Sequence, residues 1–154
     1  MPLAAHQVAL TVFGFLAFAL DALAIAAHPG LESFDLSSLR YVIYAGAPMY
    51  REDQKRALEV LGPVLVQYFG LGEVTGNITV LPAHLHQAED GPTARIGTCG
   101  HARTGIEIQI QDDNGHEVAP GETGEICCIG PAVFAGYYNN PEANAKSFRN
   151  GWFR

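Results

Sequence analysis

Residues 67–77, which read QYFGLGEVTGN, place a single carboxylate among glycines. Glycine is costly in ordered structure, so this spacing indicates either a surface turn or a backbone that must come close to a ligand. Phe69 could stack on an aromatic base, and Gly70 and Gly72 would let backbone N–H groups reach phosphates or a ribose. Glu73 could hold a Mg²⁺ that neutralises a triphosphate. Taken alone, the stretch is explained equally well as a solvated glutamate in a flexible loop.

A second glycine-containing loop follows an earlier apolar run. Residues 39–45 (LRYVIYA) are typical of a buried strand, and Gly46, Ala47 and Pro48 come directly after them. Small residues at the carboxyl end of a parallel strand let a flat ligand approach, and open α/β sheets bind ligands at that edge. A tight strand-to-helix turn is the alternative explanation. Because residues 67–77 are expected at the same edge, the two loops together favour a nucleotide site.

A βαβ unit is expected to position these two loops. Residues 50–61 (YREDQKRALEVL) have apolar positions at helical spacing, and Gly62-Pro63 then ends the helix. Residues 64–69 (VLVQYF) predict a second buried strand. A strand, a helix and a strand within about thirty residues indicate that the two strands are parallel.

The second half of the chain has a different pattern. Strict alternation over residues 106–111 (IEIQIQ) predicts a half-exposed strand, Asn114-Gly115 predicts a tight turn, and residues 124–129 (GEICCI) predict another strand. Asn140-Pro141 opens a short helix, because Asn caps a first turn and Pro fits into it. This half is therefore expected to be a small antiparallel β region. The aromatic pair Trp152-Phe153 is expected to have no chain to cover it.

Composition and charge exclude some classes of function. The 154 residues are 48% apolar and 16% charged, which suits one modest domain with a real core rather than a disordered chain. A net charge of −7 with only nine Lys and Arg argues against nucleic acid as a partner. Cys99, Cys127 and Cys128 lack metal-binding spacing and are expected to be reduced. His84 and His86 have no third metal ligand nearby, so they are interpreted as a plain surface pair.

Residues 8–27 (VALTVFGFLAFALDALAIAA) form the most apolar stretch of the chain. They have about the length that crosses a bilayer. No Lys or Arg flanks them in the manner of a signal peptide. A transmembrane helix and a buried core helix both remain open, because periodicity cannot separate the two. We expect a cytoplasmic protein, with membrane association through residues 8–27 as the alternative.

Five stretches of the chain, taken together, resemble a known family in their order and spacing. They are AGAPM, QYFGLGEVTG, GTCGHARTGIEIQIQD, PGETGEICCIGP and GYYNNPEANAKSFRNGWFR. Over residues 28–154 they resemble the adenylate-forming superfamily, specifically its AMP-binding acyl-CoA synthetases. The resemblance implies an α/β fold class, as a fragment of the large N-terminal domain: a parallel βαβ unit plus a small antiparallel β region, preceded by an apolar helix.

The family resemblance also implies a reaction. A carboxylic acid attacks the α-phosphate of ATP, which acts with Mg²⁺, to give an acyl-adenylate and pyrophosphate. The thiol of coenzyme A then displaces AMP and forms a thioester. The implied enzyme is an AMP-forming acid–thiol ligase, and its partners are small molecules: the acid, ATP and coenzyme A.

Carried over by position, the resemblance assigns nucleotide-binding residues. They are Gly46, Ala47, Pro48, Phe69, Gly70, Gly72 and Glu73. The first three match the loop that lines the adenine, Phe69 matches the aromatic residue that packs on it, and Glu73 matches the magnesium-associated carboxylate. Gly72 stands where the family usually has a Thr whose hydroxyl meets the phosphate. Thr75 or a backbone N–H would have to make that contact instead.

Other parts of the family pattern are not found in the 154 residues. These are the glycine- and Ser/Thr-rich phosphate loop, the Thr-Gly-Asp that holds the ribose, and the C-terminal domain with the catalytic lysine. No complete catalytic set is therefore expected in this chain, and the isolated chain is expected to have no ligase activity. A non-catalytic nucleotide-binding or interaction remnant and a membrane-anchored fusion fragment are the alternatives.

The first 27 residues do not follow the ligase pattern. They resemble instead a helix of the multidrug and toxin extrusion transporters. The sequence thus predicts a boundary between residues 1–27, an apolar helix that is either foreign to the family or of membrane type, and residues 28–154, a partial AMP-binding domain.

Overall fold

The computed structural model describes residues 26–92 and 94–154. The apolar helix predicted over residues 1–27, and with it the candidate membrane span 8–27, lies outside the described residues except for its last two positions. Within the described ranges, no helix is long and apolar enough to cross a membrane. The chain forms two compact units. Among the described residues, the first unit holds those from Ala26 to Gly70 together with Thr79–His101, and the second holds Leu71–Ile78 and Ala102–Arg154.

A βαβ arrangement forms the centre of the first unit, as predicted. Strand β1 (Val42–Ala45) is followed by helix α1 (Arg51–Leu61) and strand β2 (Leu65–Phe69). The two strands are parallel, with Ala45 opposite Tyr68. Strand β3 (Thr79–Leu81) runs antiparallel to β2, and β4 (His101–Ala102) completes the order β1-β2-β3-β4. The sheet is therefore mixed, and its last two strands are too short for a periodicity argument to detect.

Helix α1 covers one face of this sheet. Acidic Glu52 and Asp53 lie in its first turn, where they favour the positive end of the helix dipole. Gly62 ends the helix with a positive φ of 77° and donates its N–H to the Leu58 carbonyl oxygen at 3.0 Å. Ala57 is fully buried in the resulting core. The buried residues of this core are Ala26, Val42, Tyr44, Ala57, Leu61 and Leu65.

The second unit is built on an antiparallel sheet, which confirms the prediction for this half. Its strands are β5 (Glu107–Gln111), β6 (Glu125–Ile129), β7 (Phe148–Arg149) and β8 (Trp152–Phe153), in the order β5-β6-β8-β7. Neighbouring Cys127 and Cys128 of β6 are both 1% exposed although their side chains alternate between faces, so both faces of the sheet are covered at this point. Both are free thiols, as expected.

Helix α2 (Pro141–Ser147) and the predicted tight turn also form in the second unit. The Asn140 side-chain oxygen accepts a hydrogen bond from the Ala143 N–H at 3.1 Å, which satisfies one free donor of the first turn. In the turn, Gly115 has a φ of 86° and donates its N–H to the Asp112 carbonyl oxygen at 3.0 Å. The local sequence signals therefore predicted both features.

The expectation that the Trp152-Phe153 pair has no chain to cover it is wrong for Phe153. Strand β8 pairs with both β6 and β7, and Phe153 is 3% exposed. Its ring centroid lies 5.5 Å from that of Phe134 and 5.6 Å from that of Phe148. The two-residue strands that bury it give no sequence signal, because their pairing is set by partners far away in the chain.

Candidate active site

The first predicted loop leaves the carboxyl end of β1, and Phe69 is the last residue of the neighbouring parallel strand β2. Residues 46–48 and 69–70 therefore lie at the same edge of the first sheet, as the sequence predicts. Gly46 has a φ of 80°, a conformation in which a side chain would be strained. This edge is where open α/β sheets bind ligands.

A cavity of about 270 Å³ lies in the first unit, on the face of the sheet that α1 covers. Pro48 lines it from the first loop, and Gln67 lines it from β2. Gln67 lies opposite Tyr44 of β1 in the strand register, so the two side chains share a face. Phe69, two residues further along β2, projects from the same face as Gln67. The predicted base-stacking ring is thus on the cavity side of the sheet.

A chain of polar groups forms one wall of this cavity. The Gln54 amide donates to the Tyr44 hydroxyl over 3.4 Å, and that hydroxyl lies 3.1 Å from His86 Nε2. His86 Nδ1 lies 3.1 Å from the Pro82 carbonyl oxygen, which can only accept. A neutral imidazole satisfies both contacts, with Nδ1 donating to Pro82 and Nε2 accepting from Tyr44.

The interpretation of His84 and His86 as a plain surface pair is therefore wrong for His86. Burial lowers the pKa of His86, because it disfavours the charged imidazolium more strongly than the Pro82 and Ala83 backbone contacts favour it. His84 is exposed. Burial likewise raises the pKa of Tyr44, which is 1% exposed. Two histidines only two positions apart thus lie in different environments, which their spacing in the sequence could not show.

Glu73 lies in the second unit, in a 3-10 turn over Gly72–Val74. Its carbonyl oxygen accepts a hydrogen bond from the Phe134 N–H at 2.7 Å. Its Oε1 accepts one from the Tyr137 hydroxyl at 2.9 Å. This hydrogen bond raises the pKa of Tyr137, since a phenol that donates to a carboxylate holds its proton more firmly. The carboxylate is therefore ordered rather than freely solvated.

The residues around Glu73 differ in the free space beside them and in whether their polar groups already have hydrogen-bond partners. A Cβ at Gly72 would have no atom within 4 Å, so packing does not require a glycine at the position where the family usually has Thr. Thr75 is left-handed, with a φ of 51°, and its hydroxyl accepts from an Arg103 nitrogen at 3.3 Å. Asn77 Oδ1 is buried without a hydrogen-bond partner among the described residues. Of these two polar side chains, one is already engaged and one is not.

The donor set can be compared with what a magnesium ion requires. No group of three or more His, Cys, Asp or Glu side chains that could hold a metal occurs within residues 26–92 and 94–154. A single carboxylate such as Glu73 fits a Mg²⁺ that arrives with a nucleotide, because phosphates and water supply its other ligands.

Sequence reasoning missed two features of these sites. Tyr137 contacts Glu73 across 64 positions, and His86 contacts Tyr44 across 42. No local pattern marks either pair. The stretch around Tyr137 (GYYNN) contributes to the family resemblance, but the resemblance does not say which of its two tyrosines faces the carboxylate.

A family model described as AMP-binding enzyme matches residues 3–138 of this chain. Because the match begins at residue 3, the segment before His28 aligns with the same family. The similarity of the first 27 residues to a transporter helix is not borne out.

Two curated relatives of this chain are, by name, enzymes that form coenzyme A thioesters, in agreement with the family model. Feruloyl-CoA synthase of an Amycolatopsis species is 40% identical over 130 residues, which are 84% of this chain and 25% of that protein. The 4-coumarate–CoA ligase 2 of Oryza sativa subsp. japonica is 34% identical over 134 residues, 84% of this chain and 23% of that protein. The chain thus spans about a quarter of the length of the curated relatives it matches.

Solved structures share the fold. The amide bond synthetase McbA from Marinactinospora thermotolerans matches with a TM-score of 0.76 at 34% identity, covering 86% of this chain and 26% of that one. The O-succinylbenzoate coenzyme A synthetase from Bacillus subtilis, solved with ATP and magnesium ion, matches with a TM-score of 0.63 at 27% identity, covering 77% and 25%. Since the family model spans residues 3–138 of 154, the chain belongs to the AMP-binding enzyme family.

Proposed function

We propose that this chain supplies nucleotide-binding loops of an ATP-dependent acid–thiol ligase that forms acyl-adenylates and then coenzyme A thioesters. The relatives named above include coenzyme A ligases and an amide bond synthetase. The reaction joins a carboxylic acid to the α-phosphate of ATP, releases pyrophosphate, and then transfers the acyl group to the thiol as AMP leaves. The coenzyme A ligases among these relatives are named for different acids, so the proposal names the reaction and not the acid.

The observation that carries this proposal is the shared edge of β1 and β2. Residues 46–48 leave one parallel strand, and Phe69 and Gly70 end the next one. In the proposed site, Gly46, Ala47 and Pro48 line the adenine and Phe69 packs on it. If each loop were only a surface turn, its role would not depend on the other loop, whereas a nucleotide site needs both loops at the same edge.

The chain continues from Phe69 through Gly70 and Gly72 to Glu73 without a break in the motif. We assign the backbone N–H groups of the two glycines to the phosphates: Gly70 carries no side chain that would hold the nucleotide away, and the open space at Gly72 leaves room for a side chain that faces a phosphate. Glu73 is assigned to the magnesium ion that accompanies ATP. When bound, that ion neutralises the charge that develops on the triphosphate as pyrophosphate leaves.

The 154 residues alone are proposed to bind nucleotide without turning it over. A pyrophosphate-release assay with ATP, Mg²⁺, coenzyme A and a panel of carboxylic acids tests this directly. We expect no release above a protein-free blank, and turnover would contradict the proposal.

The boundary at residue 28, a cytoplasmic location and the absence of nucleic-acid binding remain predictions. Flotation with liposomes tests membrane association through residues 8–27.

Calorimetric titration of ATP tests the nucleotide site. We expect binding that strengthens when Mg²⁺ is added, and we expect Glu73→Gln to remove that strengthening. AMP binding in the absence of Mg²⁺ should be unaffected by Glu73→Gln, because the base and ribose contacts do not involve the carboxylate. Failure of the unmodified chain to bind either nucleotide would overturn the proposed function.

Gly72 offers a gain-of-function test. A Cβ added there meets no atom within 4 Å and the φ of Gly72 is not positive, so Gly72→Thr can be accommodated. If a phosphate lies at this turn, the added hydroxyl should improve ATP affinity by about 1 kcal/mol, the usual net worth of one hydrogen bond. Gly72→Val, which has the same shape without the hydroxyl, is the matched control and should give no gain.

A further inference from the structure

Glu73 is anchored twice by one distant segment of the second unit. The Phe134 N–H holds its carbonyl oxygen at 2.7 Å, and the Tyr137 hydroxyl holds Oε1 at 2.9 Å. The first contact fixes the backbone of the 3-10 turn, and the second fixes the side chain. A glutamate side chain has several rotatable bonds, so a carboxylate in a glycine-rich stretch would otherwise sample many positions.

Tyr137 is itself held in place. Its N–H donates to Asn144 Oδ1 at 2.6 Å, and the Asn144 amide donates back to the Tyr137 carbonyl oxygen at 3.0 Å. Its ring meets Phe134 edge to face, with centroids 4.8 Å apart. A Cβ at Gly136 would lie 2.9 Å from Asn144 Oδ1, and the φ of Gly136 is 132°, so only glycine fits before Tyr137.

The adjacent tyrosine shows that this placement is particular to one residue. Tyr138 is 93% exposed, whereas the hydroxyl of Tyr137 reaches a carboxylate 64 positions away in sequence. The two residues have the same side chain and nearly the same position in the chain. Of the two, only Tyr137 is placed to influence Glu73.

We propose that Tyr137 is a positioning residue for Glu73, whose hydroxyl fixes Oε1 and so leaves Oε2 for the magnesium ion of ATP. This inference rests on the proposed function, because it assigns Glu73 to the nucleotide's metal. Tyr137 contacts neither the nucleotide nor the metal in this scheme. It acts by presenting the carboxylate in one orientation, as partners of metal-ligating carboxylates do elsewhere.

The test is a Mg²⁺ titration of ATP binding by calorimetry, with the full chain and two variants. Tyr137→Phe keeps the ring against Phe134 and removes only the hydroxyl. We expect it to raise the Mg²⁺ concentration at half-maximal ATP binding by about tenfold, the lower end of the range for such partners. AMP affinity without Mg²⁺ should be unchanged. Tyr138→Phe is the matched control and should leave both quantities at their unmodified values.

A second comparison separates positioning from a general loss of structure. On a Glu73→Gln background, where Mg²⁺ no longer strengthens ATP binding, Tyr137→Phe should lower ATP affinity no further, because the group through which it acts is already gone. A further loss of ATP affinity on that background, or weaker AMP binding by Tyr137→Phe alone, would show a structural role and overturn the inference. So would a normal midpoint for Tyr137→Phe.

The outcomes also distinguish this inference from the function on which it rests. If the unmodified chain shows no Mg²⁺-dependent ATP binding, the proposed function fails and the positioning role fails with it. If the unmodified chain and Glu73→Gln behave as proposed but Tyr137→Phe matches the unmodified chain, only the positioning role fails.

Discussion

The two units of this chain hold their functional groups by different means. In the first unit, a βαβ arrangement places two loops at one sheet edge, and the positions of those loops follow from consecutive elements. In the second unit, Glu73 is held by the segment around Tyr137, which lies 64 positions away. Local connectivity is sufficient for the first arrangement. The second depends on an aromatic cluster, which we define as Phe134, Tyr137, Phe148 and Phe153.

This difference shows which changes would disturb the candidate residues of each unit. The loops of the first unit should tolerate changes that leave β1, α1 and β2 intact. Glu73 should be sensitive to changes in the aromatic cluster, because Phe134 both packs in the cluster and binds the Glu73 carbonyl oxygen.

The largest effect is expected from Phe153→Ala, which removes the ring of a 3% exposed residue from the aromatic cluster. It should lower the free energy of unfolding by about 3–5 kcal/mol in urea denaturation. Phe34→Ala is the control, because Phe34 is 60% exposed and should change stability by less than about 0.5 kcal/mol. Equal effects of the two variants would contradict the assigned role of the cluster.

Gly100→Ala tests the packing of the first unit by its effect on stability, again with a matched control. A Cβ at Gly100, whose φ is 86°, would collide with the Val80 carbonyl group in the neighbouring strand. We expect a loss of about 3 kcal/mol from combined steric overlap and backbone strain. Gly97→Ala has a similar φ of 77° with no atom within 4 Å, so it should cost only about 1 kcal/mol. Denaturant melts of the two variants measure the difference, and a cost at Gly97 as large as that at Gly100 would exclude the collision.

A smaller effect is expected at the start of helix α2. Asn140→Ala removes the side-chain oxygen that accepts from the Ala143 N–H. The loss should be about 1 kcal/mol, as for other helix caps, and thermal unfolding measures it. Asn140→Asp keeps an accepting oxygen and should retain most of the stability. If Asn140→Asp is as unstable as Asn140→Ala, the cap is not the source of the effect.

The smallest effect is expected from the titration of His86. Burial lowers its pKa in the folded chain below the ordinary value of 6.5. Above that value both folded and unfolded states are neutral. As the pH falls below it, the unfolded chain binds the proton first, so the free energy of unfolding decreases until the lower folded pKa is reached.

Denaturation at several pH values, with two variants, isolates this contribution. His86→Gln should remove part of the pH dependence below 6.5, whereas His84→Gln, at an exposed position, should leave it intact. A pH profile of His86→Gln that is superimposable on that of the unmodified chain would mean that burial of His86 does not shape stability.

Much of the fold could be predicted because its signals are local. The apolar run before Gly46, the helical spacing that ends at Gly62 and the second apolar run identify the βαβ unit, and the structure has all three elements. Asn140 before Pro141 likewise predicted helix α2. The short strands β3, β4, β7 and β8 could not be predicted, because two or three residues carry no period and their partners are distant.

The candidate site residues can be grouped in the same way, into those that local spacing predicted and those that only the fold brings into contact. The types and spacing of Phe69, Gly70 and Glu73 were sufficient to suggest a nucleotide loop. They did not reveal that His86 is partly buried against Tyr44, and a surface histidine pair was predicted instead. Nor did they reveal which side chain orders Glu73, because a hydrogen bond between residues 73 and 137 depends on how the second unit folds.

By itself, the sequence determined the α/β pattern and the family, and it predicted the loops that would face a nucleotide. The α/β pattern and the loops depend on residues that are near neighbours in the chain, where spacing and backbone freedom act directly, and the family was identified from the order and spacing of five short stretches. Only the tertiary structure decided that Phe153 is buried, that burial lowers the pKa of His86 and that Tyr137 holds Glu73. Burial and hydrogen bonding between distant residues arise when the strands pair and their side chains pack, and no local pattern in the sequence encodes them.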